Sequence, residues 1–350
     1  MTFKNFSKDD IASIKTAQNE GIAITGSIVS GSYADENIKY YSHGQFQSVY
    51  DYPYLSSSAN KIFDISVGIS PNSDLSSSAT VQNSKKINMY NQMAQMLVGF
   101  DAVGSIQEFD EDGDLIAGGT KLREVVVVSL ARAIVKDEIK KGSFSTSLYV
   151  GGSITGALSG SVTISDVGSD TEFRVNSPAG EYGFLTASGN GAGYLPGTLG
   201  LVYYQAGVVV LTASVFNVQS AGATYTTQDF GTYVSSSNID AVLTGSTMDH
   251  LGNSFRARVN DISVNNTTII NSRIYNCRAG SREFNYSSNP TYLEDSRMRV
   301  KNTSTDEPVS YITTVGLYSA DGVLLAVAKL SEPIKKTPAT SPNIRVRLDY

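Results

Sequence analysis

The ten residues KIFDISVGIS, at positions 61–70, carry the clearest strand pattern in the chain. Large apolar residues occupy the odd positions 63 to 69, while the even positions hold Ile62, Asp64, Ser66 and Gly68. Strict alternation of this kind is typical of a β-strand that buries one face and exposes the other. We therefore predict a half-buried strand over these residues, with Phe63, Ile65, Val67 and Ile69 facing the core.

A helical pattern follows the polar loop PNSDLSSSATVQNS. In KKINMYNQMAQMLVGF, residues 85–100, apolar residues recur at helical spacing from Ile87 to Leu97, and Gly99 provides a stop signal. The same helix carries three methionines, at Met89, Met93 and Met96. A methionine-bearing helix face is typical of a core, and the alternative is a face that packs on another subunit.

Three further segments complete the secondary-structure prediction. The acidic start of DDIASIKTAQN, residues 9–19, suits the positive end of a helix dipole and predicts a short helix. Residues 124–135 are either one long strand or a strand that passes into a helix, because periodicity alone does not decide. The stretch LGLVYYQAGVVVLTASVFNV, residues 199–218, is long enough to span a bilayer, but its polar interruptions and β-branched residues favour two buried strands around Gln205-Ala206-Gly207.

The segment SIQEFDEDGDLIAGG contains an acidic cluster at Asp110, Glu111, Asp112 and Asp114. An Asp-Gly pair favours a tight reversal, so a hairpin turn at Asp112-Gly113 is predicted. A calcium loop of the helix–loop–helix type needs glycine at position six and glutamate at position twelve. Counted from Asp110, glycine stands at position four and lysine at position twelve. This departure favours a solvated turn over a metal site.

Composition changes along the chain and suggests its domain organisation. Residues 142–255 contain no lysine and only one arginine, Arg174, and they are rich in Gly, Ser, Thr, Val and Tyr. We predict an N-terminal α+β domain over residues 1–145, an inserted Gly/Ser-rich β domain over 146–250, and a C-terminal β part over 251–350 that completes the first domain. The weakly charged surface of the middle region suggests contact with a neighbouring subunit.

The C-terminal region predicts a hairpin and a last strand. In ITTVGLYSADGVLLAVAKLSEPIKK, residues 312–336, two apolar runs flank Ala320-Asp321-Gly322, which is a plain hairpin pattern. NIRVRLDY then alternates strictly to the end of the sequence. Before the hairpin, five arginines lie among acidic residues at 249–295, and inter-strand or inter-subunit ion pairs are favoured over nucleic-acid contacts. These arginines are Arg256, Arg258, Arg273, Arg278 and Arg282.

The overall composition excludes several classes of protein. The chain has 350 residues, 17% of them charged, and a formal net charge of −6, which argues against a general nucleic-acid binder. Its N-terminal segment lacks the apolar core of a signal peptide. The single cysteine, Cys277, rules out an internal disulfide, so stability must come from packing and assembly.

Sequence motifs for catalysis are not found. Two histidines, His43 and His250, with one cysteine do not make a Cys–His metal cluster. The chain has no GxxxxGK[ST] phosphate loop and no strand–GxGxxG–helix unit, and no GxSxG elbow lies between a strand and a helix. The glycine-rich stretch SGNGAGYLPG, residues 188–197, is followed by no helix pattern and is interpreted as a loop. No cofactor, metal or catalytic residue is therefore predicted.

Two stretches resemble virion proteins of tailed phages. The hairpin TVGLYSADGVLLAVAKLSEPIKK with its following strand resembles a module of tail-collar fibre proteins, in which an Asp-Gly turn joins a strand ending in Gly-Leu-Tyr to one ending in Leu-Ala-Val. KIFDISVGIS, with the loop and methionine-rich helix after it, resembles the start of the dimeric baseplate wedge proteins of T-even-like phages. The whole chain is also similar to structural proteins of cyanophage-type myoviruses.

The resemblance implies a structural role without catalytic residues. We expect an α+β, mostly β protein with antiparallel sheets, β-sandwich-like domains and a few short helices. We expect a virion location, in a tail baseplate wedge, after synthesis in the host cytoplasm. The expected partners are further copies of the chain, as a homodimer or ring, and other tail proteins, without nucleic acid or membrane. The interface candidates are Met89, Met93, Met96, Tyr203, Tyr204, Tyr318, Lys335, Lys336, Arg345 and Arg347.

Three alternatives stay open. The first is a neck, collar or fibre-attachment protein of the virion. The second is a glycan-binding, adhesin-like module, which the 20 tyrosines and the Ser/Asn-rich loops suggest. An exposed aromatic cluster would favour that function. The third is an enzyme, which a deep polar cleft with clustered carboxylates would support.

Overall fold

The computed structural model describes residues 4–25, 36–77, 80–116, 118–152, 158–188, 197–217, 239–286, 293–294, 297–298 and 308–350. Within them the protein has an α+β fold that is mostly β, as predicted. The helices are α1 (Val81–Leu97), α2 (Arg132–Val135), α3 (Ile239–Gly245) and α4 (Met248–Ala257).

The strands follow in chain order. They are β1 (Ile11–Thr25), β2 (Ile38–Tyr40), β3 (Gln47–Tyr50), β4 (Lys61–Ile69), β5 (Phe109–Asp110), β6 (Lys121–Leu122), β7 (Glu124–Leu130), β8 (Glu138–Ile139), β9 (Ser145–Gly152), β10 (Leu158–Ser165), β11 (Phe173–Ser177), β12 (Gly180–Ser188), β13 (Gly200–Tyr203), β14 (Val208–Thr212), β15 (Val259–Arg278), β16 (Leu293–Glu294), β17 (Arg297–Met298), β18 (Ser310–Tyr318), β19 (Leu324–Lys336) and β20 (Asn343–Asp349).

The chain divides into two compact units. One comprises Gln18–Thr268, and the other comprises Met1–Ala17 together with Ile269–Tyr350. This division differs from the predicted one at 145 and 250. The Gly/Ser-rich region does not form a separate inserted domain, because β12, β13 and β14 join β7 and β4 in one continuous sheet. The C-terminal part, from Ile269, groups with residues 1–17 alone, whereas the prediction joined it to residues 1–145.

The unit Gln18–Thr268 is organised around that sheet. Its strand order runs β15-β9-β10-β12-β13-β14-β7-β4-β3-β2, and each neighbouring pair is antiparallel. Side chains on the two faces of β7 and β14 enter two different apolar clusters. Val126 and Val209 lie in one cluster, whereas Val125 and Val208 lie in the other. The centre of the sheet is therefore buried on both faces.

Strand β4 confirms the predicted strand, but it is not half-buried. The large residues at the odd positions lie in one apolar cluster, as expected. On the even face, Ser66 is also buried, and helix α1 packs against β4. A Cβ added at Gly68 would lie 3.1 Å from the Cα of Tyr90 on α1. The small residues Ser66 and Gly68 on this face thus allow α1 to pack closely against β4, and the helix shields the face from solvent.

Helix α1 confirms the predicted helix and begins four residues earlier than its pattern. Thr80 caps the N-terminus, where its side chain accepts a hydrogen bond of 3.1 Å from the backbone N–H of Asn83. After the last turn, Gly99 adopts a positive φ of 94°, which favours glycine and ends the helix. Tyr90, Ala94 and Leu97 are buried, in line with the helical spacing.

The predicted helix at residues 9–19 is wrong. A short 3-10 turn at Lys8–Asp10 leads directly into β1, which extends over 15 residues and neighbours β15 in the sheet. Pairing with a long strand supplies hydrogen bonds along the backbone, and this outweighs the local preference for a helix. By contrast, β13 and β14 confirm the two buried strands that were predicted within residues 199–218. Residues 124–135 form strand β7 followed by helix α2, which is the second of the two predicted alternatives.

Candidate functional site

The C-terminal hairpin, residues 310–336, is the clearest candidate for a functional element. Strands β18 and β19 form a separate two-stranded antiparallel sheet in which Leu317 pairs with Ala326 and Val315 pairs with Ala328. At the tip, Gly322 has a positive φ of 80°, and the N–H of Ser319 donates to the carbonyl of Val323 at 2.9 Å. The predicted Asp-Gly reversal is therefore confirmed.

One face of the hairpin is better covered than the other. Leu317 is buried, and its same-face neighbours Val315, Ala326 and Ala328 are half-buried. On the opposite face, the ring of Tyr318 lies beside Gly316, where an added Cβ would come within 2.9 Å of the ring. The ring therefore takes the space that a side chain at position 316 would fill.

The hairpin exposes large apolar side chains near its tip. Leu325 is 68% exposed and Val327 is 53% exposed, and Val323 and Leu324 are exposed as well. An isolated two-stranded hairpin is only marginally stable in water, and it usually gains stability by packing against another surface. Four exposed aliphatic residues within five positions therefore indicate a surface suited to contact with protein.

The base of the hairpin is held by a buried lysine. The Nζ of Lys336 donates to the side-chain Oδ1 of Asn285 at 2.7 Å and to the carbonyls of Thr337 and Ser281 at 2.8 and 3.3 Å. Ser310, which pairs with Lys336, donates its hydroxyl to the carbonyl of Phe284 at 2.5 Å. Lys336 is fully buried, so it anchors the hairpin rather than facing a partner, contrary to the prediction.

A bulge separates the base of the hairpin from its apolar half. Thr314 pairs with Lys329 and Ile312 with Ile334, so the register shifts between them, and Pro333 lies on β19 within the shift. Proline cannot donate to a strand ladder and is tolerated at such bulges. Lys335 lies beyond the bulge and is exposed, and its role in an interface stays a prediction. Tyr318 is half-buried.

The last strand presents two more interface candidates. β20 pairs antiparallel with β15, so that Val346 lies opposite Tyr275. Arg345 and Arg347 are exposed, and the Nε of Arg347 lies 2.7 Å from Asp349 Oδ1. Both arginines can therefore reach a partner, although Arg347 already has an ion-pair partner within its own strand.

The remaining predicted interface residues are mostly internal. Met89, Tyr203 and Tyr204 are buried, which contradicts a role as exposed contact residues. Met93 is half-buried between the two apolar clusters, and Met96 is 50% exposed. Of the three methionines, only Met96 offers a largely exposed side chain.

The two buried tyrosines belong to the protein's own core. Burial raises the pKa of Tyr203 and of Tyr204. The Tyr204 hydroxyl donates to Asp166 Oδ2 at 3.1 Å, and Asp166 Oδ1 accepts the N–H of Phe144 at 2.9 Å. Burial also raises the pKa of Asp166. Among the described residues of 142–255, strands β13 and β14 are therefore buried inside the chain and do not offer a surface to a neighbour.

The acidic loop, residues 110–121, does not form the predicted two-residue hairpin. β5 ends at Asp110 and β6 begins at Lys121, so a longer loop separates the paired strands. One carboxylate oxygen each from Asp110, Asp112 and Asp114 lies within 4.8 Å of the others. This is the acidic arrangement that could hold a cation among the described residues.

Exposed aromatic residues form a second surface that the sequence did not localise. In the loop after β3, Tyr52 is 60% exposed, Leu55 is exposed, and the rings of Tyr50 and Tyr54 lie 6.3 Å apart. The only sign of this surface in the sequence is the clustering of tyrosines in YDYPYL, residues 50–55. The glycine-rich stretch at 188–197 lies almost entirely outside the described residues.

The five arginines of residues 256–282 divide into two buried and three exposed side chains. Arg256 and Arg258 are buried, and Nη1 of Arg258 donates to the carbonyl of Tyr149 at 3.1 Å. Arg278 pairs with Asp10, with 3.1 Å between Nε and Oδ1. This ion pair joins β15 to the 3-10 turn that precedes β1, so it is not the inter-strand pair that was predicted.

Comparisons with known protein families, with curated proteins and with solved structures find no match to this chain. In the part of the chain that the structure describes, no helix combines the length and the apolar character needed to cross a membrane.

Proposed function

We propose that the chain is a structural protein of a tailed-phage virion that assembles with itself and with other tail proteins, most specifically as a baseplate wedge subunit. The resemblance of two stretches to phage structural proteins supports this proposal. The observation that carries it is the exposed apolar half of the C-terminal hairpin, which is the kind of surface that an assembly protein buries against a partner.

The hairpin supplies enough apolar surface to matter energetically. Full burial of an aliphatic side chain is worth about 1.5–3 kcal/mol. Leu325 and Val327 each expose more than half of their surface, so each contributes about 1–2 kcal/mol when a partner covers it. Charge substitutions at these positions would remove this gain and add the cost of burying a carboxylate.

The proposed first partner is a second copy of the chain. An isologous dimer places the same hairpin in the interface twice, so one substitution counts twice in the free energy of association. Lys335 and the two arginines of β20 are exposed and provide polar groups for contacts with further tail proteins.

The test of assembly compares the wild-type protein with the double variant Leu325→Asp/Val327→Asp by light scattering during size exclusion. The wild type is expected to elute as a dimer or larger ring and the variant as a monomer. Val175→Asp is the matched control, because Val175 is 68% exposed on strand β11, outside the hairpin. A wild-type protein that remains monomeric at high concentration would contradict self-assembly, as would identical behaviour of the two variants.

The virion location needs a separate test. Antibodies raised against the purified protein should label intact phage tails in electron micrographs, at the baseplate end if the chain is a wedge subunit. Labelling at the neck or along a fibre would support the alternative positions and reject the wedge. Failure to label any part of the virion would reject the proposal as a whole.

The exposed tyrosines after β3 support glycan binding as a second candidate function. Aromatic side chains with large exposed faces are used for stacking against sugars, and Tyr52 is the most exposed tyrosine of this loop. A glycan array would test this function directly. Binding that disappears in Tyr52→Ala/Tyr54→Ala and persists in the hairpin variant would favour it. An array without any signal would leave assembly as the better proposal.

A further inference from the structure

The first five residues of the acidic loop have the ligand spacing of a calcium loop, although its positions six and twelve depart from that pattern. Asp110, Asp112 and Asp114 occupy positions one, three and five, and their carboxylate oxygens converge within 4.8 Å. In calcium loops of this type, positions one, three and five supply side-chain oxygens, position seven a backbone carbonyl and position twelve a bidentate glutamate. Here position seven is Ile116 and position twelve is Lys121.

The backbone of the loop turns where a calcium loop turns. Position six, which is glycine in such loops, is Leu115 with a φ of 59°. Its N–H donates to Asp110 Oδ2 at 2.8 Å, and the N–H of Ile116 donates to Asp114 Oδ1 at 2.8 Å. The latter bond is the largest of the effects that lower the pKa of Asp114. The Leu115 side chain packs against an apolar cluster, which explains a leucine in a conformation that favours glycine.

Lys121 contacts two of the ligand positions of this loop. Its Nζ lies 2.9 Å from Asp110 Oδ2 and 2.8 Å from the carbonyl oxygen of Ile116. These are the oxygens of positions one and seven, both of which bind the ion in a calcium loop. The side chains of Lys121 and Asp110 are only 10% and 2% exposed, so the ammonium is held inside the loop rather than in solvent.

We propose that the acidic loop is a cation-binding loop whose resident cation is the ammonium of Lys121, and that the residue at position 121 decides between this tethered cation and a free divalent ion. The tethered ammonium neutralises part of the carboxylate charge and contacts two of the oxygens that calcium would take, Asp110 Oδ2 and the Ile116 carbonyl. Arg174 adds positive charge at the loop, since its Nη2 donates to the carbonyl of Asp112 at 3.2 Å. The wild-type loop therefore does not take up calcium.

The proposal is independent of the virion function and makes a gain-of-function prediction. Lys121→Glu removes the ammonium and restores the missing glutamate ligand. Calcium is expected to bind this variant with a Kd of about 10⁻⁵–10⁻³ M, the weaker part of the range for such loops. Lys121→Gln is the matched control, because it removes the charge without adding a carboxylate.

Terbium provides the probe. The hydroxyl of Tyr182 lies 3.3 Å from the carbonyl oxygen of Gly113, so this tyrosine is close enough to sensitise emission from an ion in the loop. We expect terbium emission, reversed by excess calcium, from Lys121→Glu, at least tenfold above the wild type and Lys121→Gln. Calcium should also raise the melting temperature of Lys121→Glu alone. Sensitised emission from the wild type equal to that of Lys121→Glu, or a folded Lys121→Glu that binds no terbium, would overturn the proposal.

The wild-type protein provides a second measurement if Lys121→Glu fails to fold. A tethered ammonium exchanges its protons slowly, so Lys121 should give a resolved ¹⁵N–¹H ammonium signal that millimolar calcium leaves unchanged. Loss of that signal on addition of calcium would show that the divalent ion displaces the lysine, and the proposal would then be wrong.

Discussion

The buried ammonium of Lys86 is expected to make the protein more stable as the pH rises from 7 to 9.5. Lys86 lies on α1 and is fully buried, and its Nζ donates to the carbonyls of Leu243 and Ser246, the latter at 2.7 Å. These carbonyls belong to the C-terminal end of α3 and the residue after it. Desolvation lowers the pKa of Lys86 from 10.5 to about 8.

The sign follows from proton binding. Between about pH 8 and pH 10.5 the unfolded chain holds a proton on Lys86 that the folded chain has released. The free energy of unfolding therefore rises with pH in this window. The full shift corresponds to about 3 kcal/mol at about 1.4 kcal/mol per pKa unit, and about 2 kcal/mol of it is recovered between pH 7 and 9.5.

The assay is urea unfolding followed by circular dichroism at several pH values up to 9.5. Higher values are avoided because burial raises the pKa of Tyr90 and Tyr203, so tyrosine ionisation in the unfolded chain lowers stability above about pH 10. Lys86→Met is the control, since it keeps the length of the side chain without the titrating amine. Parallel pH profiles for the wild type and Lys86→Met would refute the reasoning, as would a wild-type stability that falls over this range.

Three further substitutions test the packing described above. Gly68→Val forces the β4–α1 contact apart and is expected to cost about 1–3 kcal/mol in chemical unfolding, whereas an unchanged midpoint would mean that α1 does not approach β4 closely. Thr80→Ala removes the N-cap of α1 and should cost about 1 kcal/mol, most of which Thr80→Ser should retain; equal losses would argue against the cap. Lys336→Met leaves three acceptors at the hairpin base without their donor, at a cost of about 1–3 kcal/mol, and limited proteolysis should cut near Asn285 faster than in the wild type.

Local signals predicted the elements that depend on local chemistry. The alternation at residues 61–70 identified β4, the helical spacing identified α1, and the Asp-Gly pair identified the tip of the C-terminal hairpin. Each of these signals acts over only a few residues. The same kind of signal failed at residues 9–19, where pairing between β1 and a distant strand decided the conformation.

The candidate surfaces were predicted less well than the elements. Alternation showed that the hairpin was apolar, but only the structure distinguished exposed Leu325 and Val327 from buried Leu317. Low charge suggested an interface at residues 142–255, yet Tyr203 and Tyr204 face the chain's own clusters. Composition reports how apolar a segment is, and it does not report which neighbour covers it.

Hydrophobic periodicity and turn chemistry act between near neighbours, so the order of residues alone predicts a mostly β chain with a strand at 61–70, one long helix and a terminal hairpin. The coverage of both faces of β4 and the burial of Lys336 follow only from the packing of segments that are distant in the chain. Tertiary structure also places the ammonium of Lys121 beside Asp110 in the acidic loop. Burial and charge pairing are properties of groups brought together in space, and the spacing of Asp110 and Lys121 along the chain does not specify the 2.9 Å between their atoms.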